Sequence, residues 1–518
     1  MTFTSWPFIG FVLATVAAYY VLPKKTQWMV LLAASCGFYL CGGWKTVWCL
    51  LLTTVLTYVA GLLLGWLNHQ KAELRKEDAP AQAALRHKKK AVVWVTSLLI
   101  FGMLFVIKYW GFMAERLNPV LGGRLPAVEF VMPLGVSFFI FQSIGYVVDC
   151  YRGKYPPERN LTKFALFTSF FPQMVQGPIS RYNELAPQLT AHRSFSADNL
   201  KYGIQLVMWG YFKKLVISDR AGVIADTVFG NYTQYHGTLL AAGALFYCIQ
   251  LYCDFSGGID ITRGVAQMFG IDLAENFRRP IFARSLSEYW RRWHITLGQW
   301  MRDYVFYPLS LSAPFVRLGR WGRKHVQGKA GKIIATSAAT FIVYLLIGIW
   351  HGTSLRYVAY GLWNGTIITA SFLMEGRFQQ LRERFGIQQE SLGWRVFQTA
   401  RTCLLVFLGR YLTRAPRLLS ALWMLWWTAA DPEIAAIWDG RMLNLGLGVG
   451  DLLVILLGMA VVLAVEFFQE RGGHARVWLE QRHWLVQWAV ILISMLVILL
   501  LGVMRGDYIP SAFIYQQY

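Results

Sequence analysis

The chain has 518 residues, of which 56% are hydrophobic, 16% aromatic and only 15% charged. A soluble protein of this length carries about a quarter charged residues, so a water-coated fold is excluded, as are a disordered chain, a coiled coil and a secreted disulfide scaffold. Its 50 Lys and Arg outnumber 28 Asp and Glu to leave +22, an excess that in a soluble chain would point to nucleic acid.

The basic residues instead sit between long apolar runs. Spans of about 20 residues are expected near 5–22, 26–43, 46–68, 91–112, 129–149, 200–217, 238–253, 333–350, 353–374, 397–412, 451–468 and 485–503. Lys24 and Lys25 follow the first run. Lys71, Arg75, Lys76, Arg86, Lys88, Lys89 and Lys90 follow the third, and Arg152, Lys154, Arg159 and Lys163 follow the fifth. Every second connection is basic, as in a membrane-threaded chain with its positive loops in the cytoplasm. That places the N-terminus, the loop Gly42–Lys45 and the loop around 114–128 outside. The first run reads as a retained span, since it has no basic n-region or small-residue cleavage site. The expected fold is all-α and polytopic, with roughly 11 to 13 spans plus broken or re-entrant helices. Residues 1–518 form one membrane-embedded domain in this reading, with membrane lipid as surroundings and no nucleic-acid partner. The segment 69–90 is expected to be a cytoplasmic helix or loop.

Seven cysteines lie in or beside apolar runs without C-x-x-C or zinc spacing, so they are expected to pack as small hydrophobes. No metal site is expected. From about 164 to 312 the apolar stretches are broken by Pro, Gly and charge. Irregular backbone at membrane depth survives only when buried in protein or lining a watery cavity, which makes this the place to look for function.

The densest polar-aromatic stretch runs from Ser285 through Trp293 and His294 to Arg302, Asp303 and Tyr304. As one helix it would align Glu288, Arg292, Thr296, Gln299 and Asp303 on a stripe. An interfacial helix explains Trp290, Arg291 and Trp293 but accounts poorly for His294 and Asp303. His351, after Trp350, ends an apolar run from Ile333 in which Tyr344 is the other ionisable side chain. An ionisable group at membrane depth marks a functional site by default, and histidine suits proton transfer near neutral pH. The remaining histidines, including His236, lie in loops or at span ends and read as solvated. Two membrane histidines without an activated Ser or Cys, a nucleotide loop or a metal cluster suit direct acyl transfer, in which His takes a hydroxyl proton and returns it to a thiol.

At these residues the sequence resembles the membrane-bound O-acyltransferases, in the branch of alginate O-acetylase and teichoic acid D-alanyl transferase. The resemblance runs from about 5 to 375. It rests on Pro133-Leu134-Gly135-Val136-Ser137-Phe138-Phe139, on Phe171-Pro172-Gln173 with Gln176-Gly177-Pro178-Ile179, and on Tyr252-Cys253-Asp254-Phe255-Ser256-Gly257. It continues through Glu275-Asn276-Phe277, Tyr289 to His294, Arg302-Asp303-Tyr304 and Trp350-His351-Gly352. The order of these pieces is what makes the match specific.

The resemblance implies that His351 is the catalytic histidine, acting as general base, and that His294, on the element that shapes the reaction chamber, is catalytic with it by orienting or polarising donor or acceptor. Asn276, Trp293, Arg302, Asp303 and Trp350 are expected as supporting or chamber residues, and 164–375 as the catalytic centre. It further implies a bacterial plasma-membrane protein with spans around a funnel and no tightly bound cofactor. The donor would be a cytoplasmic thioester, acetyl-CoA or an acyl carrier protein, and the acceptor a polysaccharide or teichoic acid outside. An extracytoplasmic transferase- or esterase-like partner would finish the transfer. The tail Phe513–Tyr518 is similar to the aromatic ending of this branch. Tyr307-Pro308-Leu309-Ser310 stands where alginate-type relatives often carry Gly-Gly-Asn-Arg, and Asn364 where they often carry another histidine. The acceptor therefore stays open. The leading expectation is O-acetylation of an envelope or exported polysaccharide. D-alanyl transfer from a carrier to teichoic acid is the second reading, and an envelope-glycan transporter or flippase is the third.

Overall fold

Lipid offers no hydrogen bonds, so an apolar chain must satisfy its backbone internally as helices. The computed structural model describes residues 2–74, 78–126, 128 and 130–502 and is helical throughout. Among the described residues strand pairing is limited to one isolated antiparallel bridge, Phe277 with Trp293. Arg75, Lys76 and the tail Phe513–Tyr518 lie outside the described residues.

Among the described residues six helical stretches are long and apolar enough to cross a membrane: 24–73, 79–121, 237–268, 328–351, 449–470 and 484–501. The first contains two of the expected spans, Gln27–Gly43 and Val47–Glu73, joined by a short 3-10 turn. The hydropathy reading counted more spans because it included shorter helices such as Trp6–Val21, of 16 residues, and Val136–Arg152, of 17. It also included helices carrying charge, such as Leu392–Arg414. In Trp484–Leu501 Ile498 is the buried side chain and large apolar groups stand exposed along the rest, as suits a helix surrounded by lipid. The chain is a multi-pass membrane protein.

The segment 69–90, expected as a helix or a loop, is largely helical, and the expected loop around 114–128 begins as helix. Helix Ala79–Leu121 has 43 residues, about 65 Å at 1.5 Å per residue, so it continues beyond any bilayer core. Asp78 caps its start by accepting from the Ala81 N–H at 3.1 Å, and Gly122 ends it at φ 64. It absorbs much of 79–90 and the beginning of the 114–128 loop.

The described residues form two compact units, 2–207 with 258–274, and 208–257 with 275–502. In the first, the Pro- and Gly-rich backbone from Phe170 to Ser180 is buried at every residue. Side chains hold it in place. Gln142 donates to Phe167 O at 2.7 Å and accepts from Gln173 Nε2 at 3.1 Å. Thr262 Oγ1 reaches both Pro172 O and Gln176 O, at 2.9 and 2.7 Å. A side chain at Gly135 would stand 1.8 Å from Met174 O, at φ +65, so only glycine lets these two segments meet.

In the second unit, helices Gly328–His351 and Leu355–Leu373 form a hairpin whose backbones touch. A Cβ at Gly348 would lie 2.4 Å from Tyr357 O and 2.9 Å from Gly361 Cα, and one at Gly361 would lie 2.7 Å from Tyr344 O. Small residues allow this approach inside a membrane, where close packing replaces the hydrophobic effect. The crossing lies just before His351 and fixes where the helix end points.

Candidate active site

The stretch 285–304 is not one helix. Ser285 caps Leu286–Arg292 by accepting from Glu288 N–H at 3.1 Å, and a second helix, Ile295–Met301, begins after a break. At the break the chain pairs with residues 276–278 instead of with itself. Arg278 N–H donates to Arg292 O at 2.8 Å, and Ile295 N–H donates to Asn276 O at 3.0 Å. His294 takes a left-handed conformation, φ 47 and ψ 53, at a cost of roughly 1–2 kcal/mol for a residue with a Cβ. Such strain is concentrated at functional sites. The polar stripe expected from Glu288 to Asp303 is thus divided, and His294 is turned inward, 2% exposed.

Asn276, fully buried, holds that histidine. Its Oδ1 accepts from Thr296 N–H and Thr296 Oγ1, each at 3.0 Å, and lies 3.2 Å from His294 Nδ1. A backbone N–H can only donate, so this Asn atom is the carbonyl oxygen, and the contact requires the proton on Nδ1. Nε2 then carries the lone pair of a neutral ring. His294 lies in none of the six membrane-crossing helices. Burial, with a smaller effect from His351, pushes its pKa down to about 3, so the ring is neutral across the physiological range. The second nitrogen of Asn276, Nδ2, has no hydrogen-bond partner among the described residues.

His351 ends the helix Gly328–His351 and is half-buried. Trp350 stands beside both histidines, with ring centroids 6.5 Å from His294 and 4.9 Å from His351. Tyr357 and Tyr360 flank His351 at 6.3 and 6.2 Å, and Phe255 presents its ring to His294 at 4.8 Å. Four expected residues, Asn276, His294, Trp350 and His351, therefore form one cluster in the second unit. Trp293 faces another set of partners, Phe277 at 4.9 Å and Tyr289 stacked at 5.5 Å. Arg302 and Asp303 lie on the π-helical turn Arg302–Phe306 and pair with each other at 3.1 Å, the arginine more than half exposed. Asn364 accepts a hydrogen bond from Trp290 Nε1 at 2.9 Å.

The sequence reading missed a buried ion cluster. Lys214 lies 2.8 Å from Asp219 and 2.7 Å from Asp254, all three shielded from solvent, and Lys213 donates to Ser256 Oγ at 2.9 Å. Both lysines belong to the π-helical segment Phe212–Ser218. Asp254 immediately precedes Phe255, so the cluster supports the wall against His294. Two lysines inside an apolar run, with a distant aspartate just past the end of another, were the available signal. A group distant in sequence also departs from the solvated reading of His236. His236, Asp431 and Glu433 bring one potential metal-ligand atom each to within 4.8 Å of one another. Glu433 also binds Arg441 at 2.9 Å.

Comparison with known proteins gives this geometry its context. The sequence model of the membrane-bound O-acyltransferase family matches residues 38–399. A protein of Pseudomonas syringae pv. tomato named "Probable alginate O-acetylase AlgI" is 31% identical over 461 residues, covering 88% of this chain and 80% of that one. Its namesake in Azotobacter vinelandii is 34% identical over 65% of this chain and 61% of its own length. The teichoic acid D-alanyltransferase of Bacillus subtilis is 26% identical over 48% of this chain and 60% of its own. Both histidines fall inside the matched region, and the chain belongs to the membrane-bound O-acyltransferase family.

Proposed function

We propose that this enzyme O-acetylates hydroxyls of a cell-envelope or exported polysaccharide, using a cytoplasmic thioester donor, with its catalytic centre inside residues 164–375. The observation that carries the reading is the pairing of His294 and His351 around Trp350. His351 takes the proton of the acceptor hydroxyl as its oxygen attacks the thioester carbonyl carbon. The tetrahedral intermediate collapses with cleavage of the C–S bond, and the same imidazole returns the proton to the departing thiolate. Neutral His294, with its proton on Nδ1, can accept a hydrogen bond at Nε2 but cannot donate one there. Its role is to orient the hydroxyl or the N–H of His351, rather than to polarise the donor carbonyl.

The O-acetylase names of the relatives support acetyl as the group, and a bacterial cell membrane is the location proposed with it. A polysaccharide acceptor in kind, and an extracytoplasmic partner completing delivery, belong to the same proposal, while the identity of the polysaccharide stays open. In this reading Trp350 lines the chamber, while Arg302 and Asp303, paired with each other, support it more remotely. D-alanyl transfer from a carrier protein is the second reading, favoured by the match to a teichoic acid D-alanyltransferase. Membranes containing the enzyme, given labelled acetyl donor or labelled D-alanyl carrier in parallel, distinguish the two. Label entering alkali-labile ester from acetyl alone is the expected result, and label from D-alanyl alone would replace the first reading with the second.

A further inference from the structure

We propose that Arg410 is a positioning residue for the two-histidine site, acting through Tyr289 and Tyr360. This inference rests on the acyl-transfer reading of His294 and His351. Arg410 lies on helix Leu392–Arg414, beyond residue 399 where the family match ends, and is 4% exposed. Its Nη2 donates to Tyr289 Oη at 2.7 Å and its Nη1 to Tyr360 Oη at 3.4 Å. The guanidinium carbon stands 5.3 Å from the centroid of the Trp293 ring. Each contact leads to one histidine. Tyr289 stacks on Trp293, the residue before the left-handed His294, and the Tyr360 ring is 6.2 Å from His351.

A guanidinium removed from water costs several kcal/mol unless its donors are satisfied. Here its partners are two phenol oxygens, the Cys248 thiol and an indole face, its Nε finds no hydrogen-bond partner among the described residues, and no carboxylate there pairs with it. That is a weaker compensation than an ion pair provides. What the arrangement supplies is geometry, because the rigid planar fork of arginine holds two donors at a fixed angle. One side chain therefore sets the spacing of the two walls that carry the histidines.

The test measures acyl transfer by Arg410→Met, Arg410→Lys and the double variant Tyr289→Phe/Tyr360→Phe, normalised to monodisperse protein after detergent extraction. Arg410→Met is expected to lower kcat about 10- to 100-fold while the donor KM stays within about twofold. Arg410→Lys, which reaches one phenol at a time, recovers part of that loss. The double phenylalanine variant keeps the rings and removes the hydroxyls, so it carries the test where Arg410→Met does not accumulate, and its kcat is expected to fall. Wild-type kcat in Arg410→Met, or in the double variant, overturns the proposal. His351→Ala is measured beside them. Activity surviving in His351→Ala overturns the acyl-transfer reading itself, whereas its loss together with normal Arg410→Met overturns only the role of Arg410.

Discussion

Asn276 sets the proton position on His294, with Oδ1 accepting twice from Thr296 and standing 3.2 Å from the ring Nδ1. The consequence reaches 18 residues along the chain, because the oxygen that pins the second helix also decides which imidazole nitrogen can accept a hydrogen bond. Two backbone bonds across the same break hold the pair in register.

Replacing that accepting amide with a charged carboxylate tests the relationship. Asn276→Asp keeps the shape and places a carboxylate beside Nδ1, which favours the imidazolium and raises the pKa of His294. In the wild type, a pKa of about 3 keeps His294 neutral above that pH, so it contributes no acid limb between about pH 5 and 8. The variant is expected to gain one, losing activity progressively as pH falls through the raised value. A kcat/KM profile against pH checks this, and superimposable profiles would show that Asn276 does not govern the ring.

The hairpin crossing makes a prediction about stability. Gly348→Ala puts a methyl 2.4 Å from a backbone oxygen that cannot move aside, and overpacking of this kind costs about 1–3 kcal/mol. Gly393, with nothing within 4 Å of its Cβ position, provides the control. Thermal unfolding in detergent is expected to show a lower midpoint for Gly348→Ala and an unchanged or higher one for Gly393→Ala.

Removing Lys214 leaves Asp219 and Asp254 facing each other without their shared cation. Breaking a buried ion cluster from one side costs about 3–5 kcal/mol, so Lys214→Met is expected to abolish stable accumulation in membranes. Adding Asp219→Asn and Asp254→Asn to it is expected to restore part of the folded protein. Size-exclusion chromatography of the extracted variants reads out both results.

How much of this was legible in the sequence follows from the range of each interaction. His351 stood out because the apolar run before it contains so little that ionises, and local hydropathy records that directly. Asn276 and Trp350 came with the ordered motifs of the family resemblance. The break at His294 was not readable, since a stripe at helical spacing is indifferent to whether the backbone pairs with residues 276–278. Lys214 illustrates the same limit: its partner Asp254 lies 40 residues away, and an apolar run cannot show which distant carboxylate will enter it. Arg410 falls within the expected run 397–412 and was not singled out, because its position between Tyr289 and Tyr360 exists only after three segments have packed. A helix was one of the two readings of 69–90, but its continuity with the span at 91–112 and on into the 114–128 loop was missed, because polar helix ends carry no apolar signal.

The central claim is that His351 carries the proton in acyl transfer. His351→Ala, confirmed as inserted and monodisperse, is to be assayed in membranes for transfer of labelled acetyl from its thioester donor to acceptor hydroxyls. Loss of general acid–base catalysis predicts a fall of about 10²–10⁴-fold in rate. A folded His351→Ala protein that transfers acetyl at close to the wild-type rate would contradict the account.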